Sequence, residues 1–119
     1  MVENAIGPKT RAGSFTYLSN DTGFRLPANE ICAAIKRKGV IFVHVDGAQT
    51  WGAVDVNLRE MNCDSFSGSA HKWFMGPRET GILYVKSDNV ERVWPNIVSI
   101  PWGNEATTSA VGARKFEAL

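Results

Sequence analysis

From Val40 to Val45 the chain runs VIFVHV, apolar or β-branched at almost every position. A run that short with so little polar alternation predicts a strand buried on both faces of a parallel sheet. Upstream, Ile31, Ala34 and Ile35 recur at helical spacing behind Pro27 and Glu30. Proline suits a first helical turn and glutamate its positive end. Lys36, Arg37 and Lys38 crowd the last turn and Gly39 can take the left-handed cap, so a helix is predicted there. Further strands are predicted at 13–19 (GSFTYLS), 63–67 and 81–86, with a weak one at 97–100. Short helices are predicted near 58–61 and 89–93, while residues 1–12 are polar, turn-forming and without a period.

Strand, helix, strand, connection, strand is the rhythm of an α/β fold, a mostly parallel sheet with helices on its faces. Right-handed crossovers bring the carboxyl ends of such strands to one edge, and ligands bind outside that edge. The predicted strands deliver Asn20 there, then Asp46 with Gln49, then Ser69 with His71 and Lys72.

Composition narrows the partners. A chain of 119 residues makes one domain at most, with a modest core. Its formal net charge of +1 leaves no basic surplus for nucleic acid or an anionic membrane. No apolar run is long enough for a bilayer and the N-terminus lacks a signal-peptide pattern, so a soluble, cytoplasmic protein is expected. Cys32 and Cys63 cannot build a disulfide framework and are expected to be small buried thiols. With only His44 and His71 to join them, no metal site is expected.

The chemistry then turns on Lys72. It follows Ser67, Gly68, Ser69, Ala70 and His71 and precedes a Gly76-Pro77 turn. No GxGxxG or GxxxxGK[ST] is present, and Gly68-Ser69-Ala70 does not make GxSxG. A lysine nucleophile forming a Schiff base fits better, given partial desolvation or nearby positive charge to keep its amine neutral. A carboxylate opposite it, Asp46, would hold a pyridinium proton and make a pyridine ring an electron sink. Ser69 and His71 offer hydroxyl and imidazole donors for a phosphate. Each residue also has a plainer reading: Asp46-Gly47 as a common turn, His71 as a structural histidine and Ser69 as a loop residue. His44 reads as a satisfied core or subunit-contact residue, and Tyr17 and Trp51 as packing groups.

HVDGAQ at 44–49, followed by CDSFSGSAHKWFMGPRETGILYV at 63–85, resembles the class V aminotransferase-like pyridoxal-phosphate enzymes. That group includes cysteine desulfurases and isopenicillin N epimerase-like proteins. TYLSNDTG at 16–23 and KFEAL at 115–119 are weaker matches. The resemblance implies part of a fold type I large domain and pyridoxal 5'-phosphate as cofactor. Layers missing from such a piece would leave apolar sheet and helix faces exposed, so a homodimer or other self-association is expected. The resemblance also implies transaminase, epimerase or lyase chemistry at the Cα of an amino-acid substrate. Lys72 would carry the Schiff base and afterwards move protons at Cα. Asp46 would pair with the pyridine nitrogen, Gln49 would bond near the phenolic oxygen, and Ser69 and His71 would bind the phosphate. Asn20 matches a family asparagine near the ring and substrate.

The departures are specific. Family members are longer, with an upstream phosphate loop and a ring-stacking residue not found here. Their substrate-carboxylate arginine and the desulfurases' persulfide cysteine fall beyond Leu119, and Tyr17 stands where many relatives have a histidine. The 119 residues are therefore expected to be the central part of a large domain. The alternative expectation is a catalytically inactive fragment whose stability depends on association.

Overall fold

The computed structural model describes residues 2–95 together with Gly112 and Phe116. The chain divides into two compact units, residues 1–84 and 85–119. The weak strand expected at 97–100 and all of KFEAL but Phe116 lie outside the described residues.

Four strands form one sheet in the order β1-β2-β3-β4: Ala12–Thr16, Phe42–Asp46, Ser65–Ser69 and Gly81–Val85. The first three are parallel, with Thr16 opposite Asp46 and Asp46 opposite Ser67. Helix α1, Ala28–Arg37, connects β1 to β2, and the short α2, Leu58–Met61, connects β2 to β3. In the second unit Ser87–Arg92 winds as a 3-10 helix, close to the short helix predicted at 89–93.

Local sequence accounts for the helices. Ala28, Cys32 and Ile35 form one buried stripe of α1, Lys36 and Arg37 occupy its last turn, and Gly39 closes it at φ 78°. Asn57 caps α2 by accepting hydrogen bonds from the N–H groups of Arg59 and Glu60, both at 3.2 Å. Asn62, left-handed at φ 52°, ends it.

The sheet has two unlike faces. Val43, Val45 and Phe66 are buried against Cys32, Ile35, Met61 and Cys63. Gly13 lies on the same face, where an added Cβ would sit 3.1 Å from Cδ1 of Ile35, so α1 packs directly on β1. By the two-residue period, Ser14, Thr16, His44, Asp46, Ser65, Ser67 and Ser69 take the opposite face. This corrects the expectation that VIFVHV is buried on both sides. Only Val43 and Val45 are fully buried within β2, whereas Phe42, His44 and Asp46 are half-buried. The strand also starts two residues later than the apolar run, with Val40 buried in the approach to it, and it ends on Asp46.

Both cysteines are buried, as expected. Burial, with Cys63 adding to it, pushes the Cys32 thiol up to about 12, so it is an inert packing group. No group of metal ligands occurs among the described residues, and none of their helices is long and apolar enough to cross a membrane.

Asp64 ties α1 to the sheet. It is buried, and its Oδ2 accepts the Val43 N–H at 2.8 Å while Oδ1 pairs with Nζ of Lys36 at 3.1 Å. Lys36 keeps a quarter of its side chain in solvent, so its charge can rehydrate, but the Val43 amide cannot. Asp64→Ala is therefore expected to cost about 2 kcal/mol in urea denaturation, and Lys36→Met less than about 1 kcal/mol. The reverse order would make the ion pair, not the buried amide, the important contact.

Candidate active site

Because β1, β2 and β3 are parallel, their carboxyl ends share one edge. The ladder continues past them there: Tyr17 N–H donates to the Asp46 carbonyl at 2.8 Å, and Gly47 N–H donates to the Ser67 carbonyl at 2.7 Å. Asp46 is thus held from both neighbouring strands. Its Oδ1 accepts the Ala48 N–H at 2.9 Å, and its Oδ2 has no partner among the described residues. Gly47 is required next, since a Cβ there would lie 1.9 Å from Cζ of Phe66. The chain then turns tightly, with Thr50 and Trp51 N–H both donating to the Gly47 carbonyl, and this turn presents Gln49.

The lysine loop leaves β3 at Ser69. Ala70 N–H donates to Thr80 O at 2.9 Å, Gly76 N–H to Ala70 O at 2.7 Å and Met75 N–H to Lys72 O at 3.0 Å. Met75 and Glu79 are held at φ 57° and 64°, a left-handed backbone costly for side chains of their kind. Two side-chain contacts join this loop to the turn after β2. Trp73 Nε1 donates to Oε1 of Gln49 at 3.1 Å, and the rings of Trp51 and Phe74 stack with centroids 4.2 Å apart and planes 14° from parallel. Lys72, one residue before this clasp, is exposed and makes no ion pair among the described residues. Ser69 is half-buried and its hydroxyl is likewise without a partner among them. His71 is exposed, with Nδ1 3.4 Å from Thr80 O.

Asp46, Gln49, Ser69, His71 and Lys72 are therefore carried by two adjoining segments at one edge. Asn20 lies beyond β1, exposed, with its amide donating to Asp21 Oδ1 at 3.1 Å, and no hydrogen bond joins it to the other five. Tyr17 is a packing group, buried, with its hydroxyl accepting from Nη2 and Nε of Arg25 at 2.5 and 3.2 Å. Trp51 also packs, as expected. Trp73 is not legible as a site residue in the sequence, because one aromatic in the run WFM carries no periodic signal that singles it out.

The comparisons with known proteins bear on the family and the fold. A family model, aminotransferase class-V, matches residues 1–106. The chain belongs to that family. Isopenicillin N epimerase from Amycolatopsis lactamdurans is 40% identical over 99 residues, which are 83% of this chain and 24% of that protein. Cysteine desulfurase IscS from Clostridium botulinum (strain Hall) is 40% identical over 86 residues, 72% of this chain and 21% of the relative. A solved structure of the cystine C-S lyase C-DES, in complex with its reaction product cysteine persulfide, superposes at TM-score 0.85 and 32% identity. That match covers 99% of this chain and 33% of the other. The chain thus spans about a quarter of the length of the curated relatives it matches.

The cofactor implied by the sequence resemblance can be tested against the donor set. Pyridoxal phosphate requires an amine for its aldehyde, a carboxylate for its ring nitrogen, and donors for its phenolic and phosphate oxygens. Lys72 Nζ, Asp46 Oδ2, Gln49 Nε2 and Ser69 Oγ have no partners among the described residues. They are of the required kinds and belong to the two joined segments. The residues fit the group.

His44 lies on the same face as Asp46, two residues earlier. Its Nδ1 is 2.7 Å from Ser65 Oγ and its Nε2 3.3 Å from Ser67 Oγ, so the imidazole is satisfied from both ends. Burial lowers its pKa from the ordinary 6.5, and the Asp46 carboxylate opposes that shift without reversing it. A lowered histidine pKa means the unfolded chain takes up the proton first. This contribution to stability is complete above the unfolded value and is lost as pH falls below it. Stability measured by denaturant titration from pH 7 to 5 should fall with pH, and His44→Gln should flatten that slope. An unchanged slope would remove His44 as its source.

Proposed function

We propose that this chain supplies the lysine-bearing part of a pyridoxal-phosphate enzyme acting at the Cα of an amino-acid substrate. One observation carries the reading: the Gln49–Trp73 hydrogen bond ties the turn after Asp46 to the residue after Lys72. A candidate amine and a candidate carboxylate are thereby held at one sheet edge, a few residues from a rigid contact. Relatives named isopenicillin N epimerase and cysteine desulfurase, and a structural neighbour named cystine C-S lyase, support an amino-acid substrate. Together with the aminotransferase class-V family, they support transaminase, epimerase or lyase chemistry as the reaction class.

In this mechanism Lys72 would hold the cofactor through its aldehyde and would later hold or move the proton at the substrate Cα. Asp46 Oδ2, the carboxylate oxygen left open by the Ala48 N–H, would pair with the ring nitrogen. Gln49 would donate to the phenolic oxygen. Ser69 and His71 would hold the phosphate, and Asn20 would serve near the ring and substrate. Bound there, the cofactor would supply an electron sink at the substrate Cα.

A second reading has its own observation. Phe24, Trp73, Phe74, Met75 and Leu83 are each more than half exposed, a large apolar surface for so small a chain. Taken alone, the polypeptide is then an inactive piece that depends on association, as a homodimer or with further chain.

Addition of pyridoxal phosphate, reduction with borohydride and peptide mapping by mass spectrometry separates the two. Label on Lys72, abolished in Lys72→Ala, is expected. Asp46→Ala should weaken cofactor binding by about 10- to 100-fold, the loss of one charged hydrogen bond, and Asp55→Ala should leave it unchanged. Equal losses would remove Asp46 from its role, and no specific label would leave the association-dependent piece.

A further inference from the structure

We propose that Trp73 is a positioning residue that turns the Gln49 carboxamide so that its NH2 group faces the ligand, making Gln49 a donor to an anionic oxygen. The inference rests on the pyridoxal-phosphate reading above and adds a residue to it. A glutamine side chain ends in two atoms of similar size and opposite hydrogen-bonding sense, and its own torsions do not choose between them. The indole N–H chooses here, because it can only donate. The atom 3.1 Å from Trp73 Nε1 must therefore be the amide oxygen. Nε2, with two N–H groups, is left turned away from the indole and has no partner among the described residues.

Trp73 is itself fixed by the next residue. Phe74 stacks on Trp51, and Gly52 at φ 89° lets the Phe74 backbone approach so closely that a Cβ on Gly52 would lie 2.6 Å from Phe74 N. Gln49, Trp51 and Gly52 thus meet Trp73 and Phe74 in a short ladder. Its hydrogen-bonded rung sets which end of the amide is offered, and its stacked rung holds the rung in place. An amide oxygen turned toward a phenolate would repel it. The NH2 group stabilises the anion and so weakens the hold of the lysine-bound cofactor on its shared proton.

The test is an absorbance titration of the lysine-bound chromophore against pH. Gln49→Leu is expected to raise its apparent pKa by about 1 to 2, the worth of one hydrogen bond to a charged oxygen. Trp73→Phe keeps a ring for packing but has no N–H, and should raise the pKa by a smaller amount in the same direction. The double variant should rise no further than Gln49→Leu alone. A merely structural role for Trp73 would alter stability but not this pattern. An unchanged pKa in Trp73→Phe with Lys72 still labelled, or additive shifts in the double variant, overturns this inference and leaves the pyridoxal-phosphate reading standing. Failure of the unsubstituted protein to label at Lys72 overturns that reading, and the inference with it.

Discussion

Asp46 can end β2 and be followed at once by a turn over the sheet only because Gly47 has no side chain above the Phe66 ring. Any Cβ would fall inside van der Waals contact with that ring, which is fully buried and cannot move aside cheaply. With glycine in place, the amide reaches the Ser67 carbonyl and the Gly47 carbonyl collects the N–H groups of Thr50 and Trp51. The carboxylate, the glutamine and the ring that stacks on the lysine loop are all placed by that one turn. The apolar core and the polar edge are coupled through it.

The sheet's two faces then divide the work. One holds Val43, Val45 and Phe66 against α1 and Met61 in the hydrophobic core. The other gathers hydroxyls, an imidazole and a carboxylate in neighbouring register. A polar face remains compatible with a stable sheet because its buried groups bond one another. His44 reaches Ser65 and Ser67, and among the described residues no buried polar side-chain atom lacks a partner. The groups left open are at the edge, where water or a ligand can reach them.

Much of this was legible in the amino-acid order. The apolar run before Asp46, the stripe of α1 and the Gly39 cap follow local rules of period and backbone freedom. The four strands appear within a few residues of their expected places. The paired stretches HVDGAQ and CDSFSGSAHKWFMGPRETGILYV carried the resemblance to the family, because both are contiguous runs that can be matched residue by residue. Asp64 was not legible. A carboxylate beside a cysteine gives no sign that it will bond an amide 21 residues away.

The sequence by itself determined roughly where the strands run, that Gly39 can close α1, and which lysine stands at a strand's exit. Those are properties of neighbours along the chain, set by φ/ψ freedom and alternation. Only the tertiary structure decided that β2 is buried on one face and not both, because burial depends on what packs above each side. It alone decided that Trp73 meets Gln49 and Phe74 meets Trp51, since those pairs are more than 20 residues apart and their distance is fixed by the register of β2 against β3. Register is a sum of weak contacts over whole strands, so no single residue announces it.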